Sequence, residues 1–234
     1  MTVSTEFAAR LVESRPIAPD VRHCVFELQE APLRFRPGQH VLLSAQLEGS
    51  REERYYSLAS SPDEPGFALC AKTDIDPFSR LLAAPNGRRF GCQGPSGSFG
   101  LRQELRDSLF VAAGTGVAPL RAMLRHLLGR RDRSHGRRLV LLQGARSPQS
   151  LLYGDEFRGL AERRERFVYL PTISGHPEWQ GRHGRVQTHL EEASRLFDGP
   201  FDAYVCGGSA MVADTARALI AVGLDEGAIF FERL

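Results

Sequence analysis

The 234-residue chain is expected to fold as two domains, an antiparallel β-barrel over residues 1–104 followed by an α/β domain with a parallel sheet over residues 105–234. Three observations predict this. The length exceeds the roughly 100–150 residues of a common single domain. The first hundred residues alternate short strand-like runs with turn residues and leave little room for helix. Beyond about Arg106 the pattern changes to apolar strand-like runs separated by helix-patterned segments, the mark of a parallel sheet with helices on both faces.

In the first part the expected strands are Glu6–Ser14, Val21–Leu28, His40–Leu47, Arg54–Ser60, Phe67–Lys72 and Arg88–Cys92. Breaks are expected at Pro16, Pro19, Pro37-Gly38, Gly49-Ser50, Pro62, Pro65-Gly66 and Asn86-Gly87, because proline and glycine punctuate strands. A short helix is expected at Phe78–Ala84, and Gly94-Pro95-x-Gly97-x-Phe99 reads as a tight turn closing the barrel. In the second part Leu109–Ala113, Leu139–Gln143, Phe167–Leu170, Ala203–Cys206 and Ile229–Phe231 read as buried strands. Pro119–Leu128, Ser150–Arg164, Val186–Leu196 and Ala210–Val222 read as helices. In the first of these, Leu120, Met123, Leu124, Leu127 and Leu128 fall on one helical face. No internal repeat or low-complexity segment interrupts the pattern.

Composition excludes several function classes. The chain is 42% hydrophobic and 25% charged, which is globular, and its net charge of +2 is too small to argue for nucleic acid. No run approaches the ~20 apolar residues of a membrane helix, and Met1-Thr2-Val3-Ser4-Thr5 lacks the features of a secretory signal, so a cytoplasmic protein is expected. Cys24, Cys70, Cys92 and Cys206 form no C-x-x-C pair and no iron–sulfur spacing; the first three read as small buried apolar residues. His176, His183 and His189 match no zinc pattern and read as surface or core histidines, with no metal expected. Lys72 is the only lysine. Arg130, Arg131, Arg133, Arg137 and Arg138 read as a solvated loop, or as a patch that steers an acidic partner.

The chemistry is carried by motifs in a fixed order: Arg54-Tyr55-Tyr56-Ser57, Gly94-Pro95-Ser96-Gly97-Ser98-Phe99, Gly114-Thr115-Gly116-Val117-Ala118-Pro119, Cys206-Gly207-Gly208 and Glu232. In this order they resemble the ferredoxin-NADP reductase family of flavoenzymes over nearly the whole chain. The resemblance implies a flavin-binding barrel and a nucleotide-binding domain. It implies that Tyr56 stacks on the isoalloxazine, that Ser57 bonds near its N5 and that Arg54 contacts phosphate, a role suited to a planar guanidinium. Along a strand Arg54 and Tyr56 share one face and Ser57 points to the other. It further implies that Ala71-Lys72-Thr73 runs along the ring edge and that Ser79 opens a phosphate-binding helix. Here the family's usual glycine is replaced in Asp76-Pro77-Phe78-Ser79, and Asp76 is available as a helix cap. FAD is expected over FMN.

For the nicotinamide coenzyme, Gly114-x-Gly116-x-x-Pro119 resembles a dinucleotide fingerprint with proline at the third position, which the first turn of a helix tolerates. The resemblance places Thr115 in a loop that faces the pyrophosphate and nicotinamide, Cys206 beside the nicotinamide C4 and Glu232 within reach of the reacting groups, with Gly207 a further coenzyme-binding residue. Hydride transfer needs Cys206 as a positioned neutral thiol and not as a thiolate. Ser57, Cys206 and Glu232 are the expected catalytic residues. Arg146 and Arg182 match positions at which NADPH-using relatives carry arginine, whereas the expected Ser-Arg pair reads Ser174-Gly175; the choice stays open between NADPH and NADH, with the arginines leaning to NADPH. Leu234 stands where plant-type members carry a terminal tyrosine over the flavin, so nicotinamide access is expected to be easier.

The expected reaction is hydride transfer from NAD(P)H to FAD, followed by single-electron transfer to a separate ferredoxin or flavodoxin. No fused iron–sulfur domain is expected. Alternatives are a reductase that uses free flavin as substrate and a flavin-binding adaptor or sensor without nicotinamide turnover. No nucleic-acid or membrane partner is expected.

Overall fold

The computed structural model describes residues 5–28, 32–83 and 87–234, so Ala84 of the expected helix and Asn86 of the expected turn lie outside the described residues. The described chain divides into two compact units, Met1–Gly100 with Arg121–His126, and Leu101–Leu120 with Leu127–Leu234.

The first unit contains β1 (Thr5–Ala18), β2 (Val21–Leu28), β3 (His40–Leu47), β4 (Ser50–Ser57), β5 (Phe67–Lys72), α1 (Pro77–Arg80) and β6 (Arg89–Ser96). The strands form one antiparallel sheet in the order β4-β3-β6-β1-β2-β5. The sheet curls until its edge strands meet at a single bridge, Leu58 to Leu69, backed by a hydrogen bond from Ala59 N to Ala68 O at 2.7 Å. Alternation sends Leu11, Phe26, Val41, Leu43, Leu69 and Phe90 into a common core. Within it Phe26 stacks on Phe67 at 4.9 Å between ring centres. The turn from β3 to β4 is Glu48-Gly49, with φ of 48° and 85°; two successive positive φ values make the tight turn whose twist matches a hairpin.

Three readings of this half need correction. Pro16 does not break β1, which continues to Ala18; the proline lies beside a register shift against β2, where a missing N–H is tolerated. The helix at 78 is confined to Pro77–Arg80 among the described residues. The Gly94–Phe99 motif is not a simple turn, because β6 runs through Gly94-Pro95 to Ser96, paired to β1 and β3.

The second unit contains β7 (Asp107–Ala113), α2 (Val117–Leu128), β8 (Leu139–Ala145), α3 (Gly154–Arg163), β9 (Phe167–Ile173), β10 (Arg182–His183), α4 (Leu190–Ser194), β11 (Phe201–Gly207), α5 (Ser209–Ala221) and β12 (Ile229–Arg233), although the central residues of α2 group with the first unit. Its sheet is parallel throughout, in the order β10-β9-β8-β7-β11-β12. One face is covered by α4, α5 and the turn at Val186, which bury Leu190, Ala193, Val212 and Leu219 against Leu109, Val111, Val140 and Val205. The expected helix Ser150–Arg164 is interrupted: a 3-10 turn at Pro148–Ser150 is followed by Tyr153 at φ 58°, and only then does α3 begin. The segment Val186–Leu196 likewise divides into a 3-10 turn and the short α4. The two-residue β10 has no apolar run to betray it.

Strand order decides where a ligand can sit. The chain moves outward from β7 through β8 to β9, then returns to the other side of β7 to form β11 and β12. The connections leaving the carboxyl ends of β7 and β11 therefore diverge, creating the crevice in which open α/β sheets bind ligands. Gly114-Thr115-Gly116 leaves β7 there, and Cys206-Gly207 closes β11 beside it.

Candidate active site

In the first unit, the register pairs Leu43 with Arg54, Val41 with Tyr56 and His40 with Ser57. Arg54 and Tyr56 therefore share the core-side face, and Tyr56 packs partly buried against the core cluster. Burial, aided by Asp76, pushes the Tyr56 phenol well above its ordinary range, so it remains neutral. Ser57 is on the opposite face. The bond from Leu58 N to Gln39 O at 2.9 Å makes that neighbouring pair the hydrogen-bonded one, so His40 and Ser57 form a non-hydrogen-bonded pair, in which side chains lie closest. The His40 ring meets Tyr55 edge-on at 5.4 Å. A Cβ at Gly97 would lie 2.9 Å from His40 Nδ1, which explains the glycine in that motif: it leaves space for the imidazole. His40 was not singled out from the sequence, since one histidine in an alternating strand carries no signal of its own.

β4 and β5 pair only at Leu58–Leu69. Continuing that antiparallel register would set Tyr56 opposite Ala71 and Arg54 opposite Thr73, yet no ladder forms there among the described residues. Ala71 is buried, Lys72 is exposed and Thr73 N is held by Asp20 O at 3.1 Å. A phenol face, a hydroxyl, a guanidinium and an unladdered strand edge are the donor set that a flavin nucleotide requires. The residues present fit the cofactor.

At the expected phosphate end the polar groups pair with one another. Arg54 Nε donates to Asp76 Oδ2 at 3.1 Å, and Nη1 donates to Glu52 Oε2 at 3.3 Å and Glu53 O at 2.8 Å; the guanidinium lies 5.6 Å above the Phe78 ring. Asp76 caps α1, accepting from Ser79 N at 2.7 Å, while Ser79 Oγ accepts from Asp76 N at 3.1 Å and donates to Asp76 O at 2.8 Å. The Ser79 N–H and the Arg54 guanidinium together hold the Asp76 carboxyl below its ordinary range. Ser79 is 1% exposed, and its hydroxyl and N–H are both used in the capping box. Ser79 thus completes the cap of α1. Sequence reading also missed Arg121, buried within the grouping of the first unit, whose Nη1 donates to Ala59 O at 2.6 Å just beyond Ser57.

In the second unit, Gly114 is exposed with φ 56°, and Gly116 is buried. A Cβ at Gly116 would lie 2.3 Å from Cys206 O and 2.7 Å from Gly207 Cα, so only glycine lets the loop lie against the end of β11. Thr115 is half-buried between these two glycines, and Pro119 is buried in the first turn of α2. Cys206 registers with Ala112 on one side and Glu232 on the other. It is fully buried, and burial, with the Glu232 charge, pushes its thiol well above the ordinary range. Leu234 N donates to Gly207 O at 3.0 Å, which fixes the end of β12, while the Leu234 residue is 54% exposed.

Arg146 is exposed after β8 and is joined through its carbonyl to Gly175 N at 2.9 Å. Arg182 lies on β10 opposite Thr172, and its Nε is 3.0 Å from both oxygens of Glu192. The arginine cluster is elsewhere: it precedes β8, at the amino edge of the sheet, and Arg138 is tied down by its Nη1 bond to Leu196 O at 2.6 Å. That position is remote from the carboxyl-edge crevice along the strands. Among the described residues no group of three His, Cys, Asp or Glu side chains could hold a metal ion, and no helix is long and apolar enough to cross a membrane.

Comparison with known proteins gives consistent results. Residues 8–100 match the oxidoreductase FAD-binding domain family and residues 110–217 the oxidoreductase NAD-binding domain family. The chain is 38% identical over 229 residues to ferredoxin–NADP reductase B of Sorangium cellulosum, covering 91% of this chain and 90% of that protein. It is 31% identical over 235 residues to the phenol 2-monooxygenase reductase component DmpP of Pseudomonas sp., covering 93% of this chain but 62% of the relative's length. Among solved structures, the cytochrome P450 reductase GcoB of Amycolatopsis superposes with a TM-score of 0.86 at 27% identity, covering 98% of this chain and 70% of that one.

Proposed function

Because the chain belongs to the ferredoxin-NADP reductase family of FAD- and NAD(P)-binding oxidoreductases, we propose that it oxidises NAD(P)H and delivers the electrons singly to a separate ferredoxin or flavodoxin. The observation that carries this reading is the close seating of Gly116 on Cys206-Gly207 at the switch point, with Glu232 in register beside the thiol. Residues 1–104 are assigned to flavin and residues 105–234 to the nicotinamide coenzyme. Bound FAD supplies the conversion between a two-electron donor and one-electron acceptors, which amino-acid side chains cannot perform. Tyr56 offers a neutral aromatic face, the Ala71–Thr73 edge offers backbone hydrogen-bonding groups, and Arg54 offers a cation for phosphate once it is shared with or released from Asp76.

Around the reacting carbon the chain acts by placement. Gly114, Thr115 and Gly116 orient the coenzyme, with Pro119 setting the start of α2. Cys206 stays a thiol, so it excludes water without adding a charge that would disfavour hydride movement. Ser57 holds a hydroxyl on the face opposite Tyr56, and Glu232 supplies a carboxylate whose effect is felt mainly in the transition state. A second reading, reduction of free flavin, is favoured by one observation: Arg54 is shared with two carboxylates and Ser79 takes part in capping, so both expected phosphate contacts are already engaged.

Anaerobic titration of the purified yellow protein tests the proposal. NADH or NADPH should bleach the flavin, and the reduced protein should then reduce ferredoxin or flavodoxin. Loss of the flavin on gel filtration, with turnover restored only by added flavin, selects the second reading. A protein that keeps FAD but is bleached by neither nucleotide is a flavin-binding module without this activity.

A further inference from the structure

Building on that reading, we infer that Glu192 is a specificity-determining residue that tunes the coenzyme site toward NADH by occupying the guanidinium of Arg182. The carboxyl ends of β8 and β9 lie side by side and lead to Arg146 and Ser174-Gly175, and Arg182, which opens β10, pairs with Thr172 near the carboxyl end of β9. Their backbones are joined: Ser174 N donates to Ala145 O and Gly175 N to Arg146 O, each at 2.9 Å. This is the edge at which a nucleotide-binding sheet distinguishes the ribose 2′ substituent, an acidic side chain favouring the 2′-hydroxyl of NADH and an arginine the 2′-phosphate of NADPH.

Arg182 turns the Nε–Nη2 edge of its guanidinium to Glu192. Its Nε lies 3.0 Å from each oxygen of Glu192, and its Nη2 contacts Glu192 Oε1 more closely still. The Arg182 hydrogen bond is the main reason the Glu192 carboxyl sits below its ordinary range. His189 stands on the other side of the carboxylate, its Nδ1 3.6 Å from Glu192 Oε2, while its Nε2 faces His183 O at 2.8 Å. A carbonyl only accepts, so Nε2 carries a proton and donates to His183 O. Glu191, the adjacent acid on α4, pairs with Arg195. The Arg182–Glu192 pair therefore has no net charge. A 2′-phosphate that takes the Nε–Nη2 edge of Arg182 displaces a carboxylate and adds negative charge beside it, whereas a 2′-hydroxyl can donate to the same carboxylate while the pair stays intact.

The test uses the flavin-loaded protein and measures both kcat/KM for NADH and NADPH with ferricyanide as acceptor and equilibrium binding of NAD+ and NADP+ to the oxidised protein. The wild type should favour the nicotinamide coenzyme without the phosphate by on the order of 10-fold, the size of one charge-assisted hydrogen bond. Glu192→Gln and Glu192→Ala should each shift the ratio toward the phosphorylated coenzyme by about 10-fold or more, through KM and Kd more than kcat. Adding Arg182→Ala to either should abolish that shift. A wild type that prefers NADPH, an equal effect of Glu192→Gln on both coenzymes, or a shift that survives Arg182→Ala would each overturn the inference. If neither coenzyme reduces the flavin, the proposed function fails, and the NAD+ and NADP+ affinities still decide the role of Glu192. If neither binds, both ideas fall.

Discussion

Replacing Gly116 by alanine probes the contact on which the nicotinamide end depends. The backbone at this position has φ of −59° and ψ of −12°, ordinary for any residue, so the substitution carries no conformational strain. Its cost is steric. The new Cβ would lie 2.3 Å from Cys206 O, 2.5 Å from Cys206 C and 2.7 Å from Gly207 Cα, all backbone atoms that cannot rotate away. Reaching ordinary contact requires the loop and the end of β11 to separate by about 1 Å, and overpacking of this kind costs about 1–3 kcal/mol. For a domain of this size that lowers the melting temperature by about 3–10 °C. A 1 Å misplacement at a reacting centre can cost on the order of 100-fold in rate. Stopped-flow reduction by NADH and NADPH should therefore slow by about 10- to 100-fold, with flavin content unchanged, because Tyr56 and Arg54 belong to the other unit. Two controls isolate the cause. Gly208 has open space around its position and a φ of −61°, so Gly208→Ala should leave stability near wild type. Gly114 also has open space but a φ of 56°, so Gly114→Ala should cost about 1–2 kcal/mol through backbone strain. Wild-type melting and wild-type reduction rates for Gly116→Ala would refute the reasoning, as would equal effects of all three substitutions.

Three other outcomes are expected. Tyr56→Ala should weaken flavin binding by about 1–3 kcal/mol, the worth of an aromatic stack, as read by fluorescence titration of the flavin-free protein; an unchanged dissociation constant would remove Tyr56 from the site. Glu232→Ala should slow single-turnover flavin reduction by about 10-fold or more at full flavin content, and an unchanged rate would exclude Glu232 from the mechanism. Cys24, Cys70, Cys92 and Cys206 are all buried, and burial pushes Cys24 to about 11 and Cys92 to about 12 from an ordinary 9.0, with Cys206 raised as well. The native protein should therefore react slowly with a disulfide reagent near pH ~8 and release its thiols only on unfolding. Because these raised values make the folded chain hold protons that the unfolded chain loses, denaturant midpoints should fall as pH rises from about 9 toward 11; a midpoint that rises there would contradict the burial.

Much of this molecule could be read before any coordinates. The bounds of β2, β3 and β5 coincide with the strand-like runs expected from the sequence, and the strand–turn–helix setting of Gly114–Pro119 follows from residues adjacent in the chain. Side-chain periodicity and the φ demands of glycine and proline are local properties, so a linear sequence displays them directly. The order of the motifs, and with it the family resemblance, is also a linear property. What lay beyond reach depends on strand order and on distances between residues remote in the chain. Pro16 remains in β1 because of a bulge against β2 that no local rule announces. Gly116 must be glycine because β11 returns next to β7 and brings Cys206 against it. Arg54 meets Asp76, and Arg182 meets Glu192, as ion pairs whose sequence separations follow no helical or strand period. Counting arginines along the chain favours a phosphate in each unit; the tertiary structure decides which of those charges are already matched, because Coulomb attraction at hydrogen-bonding distance depends on how the fold places the partners and not on their spacing in the sequence.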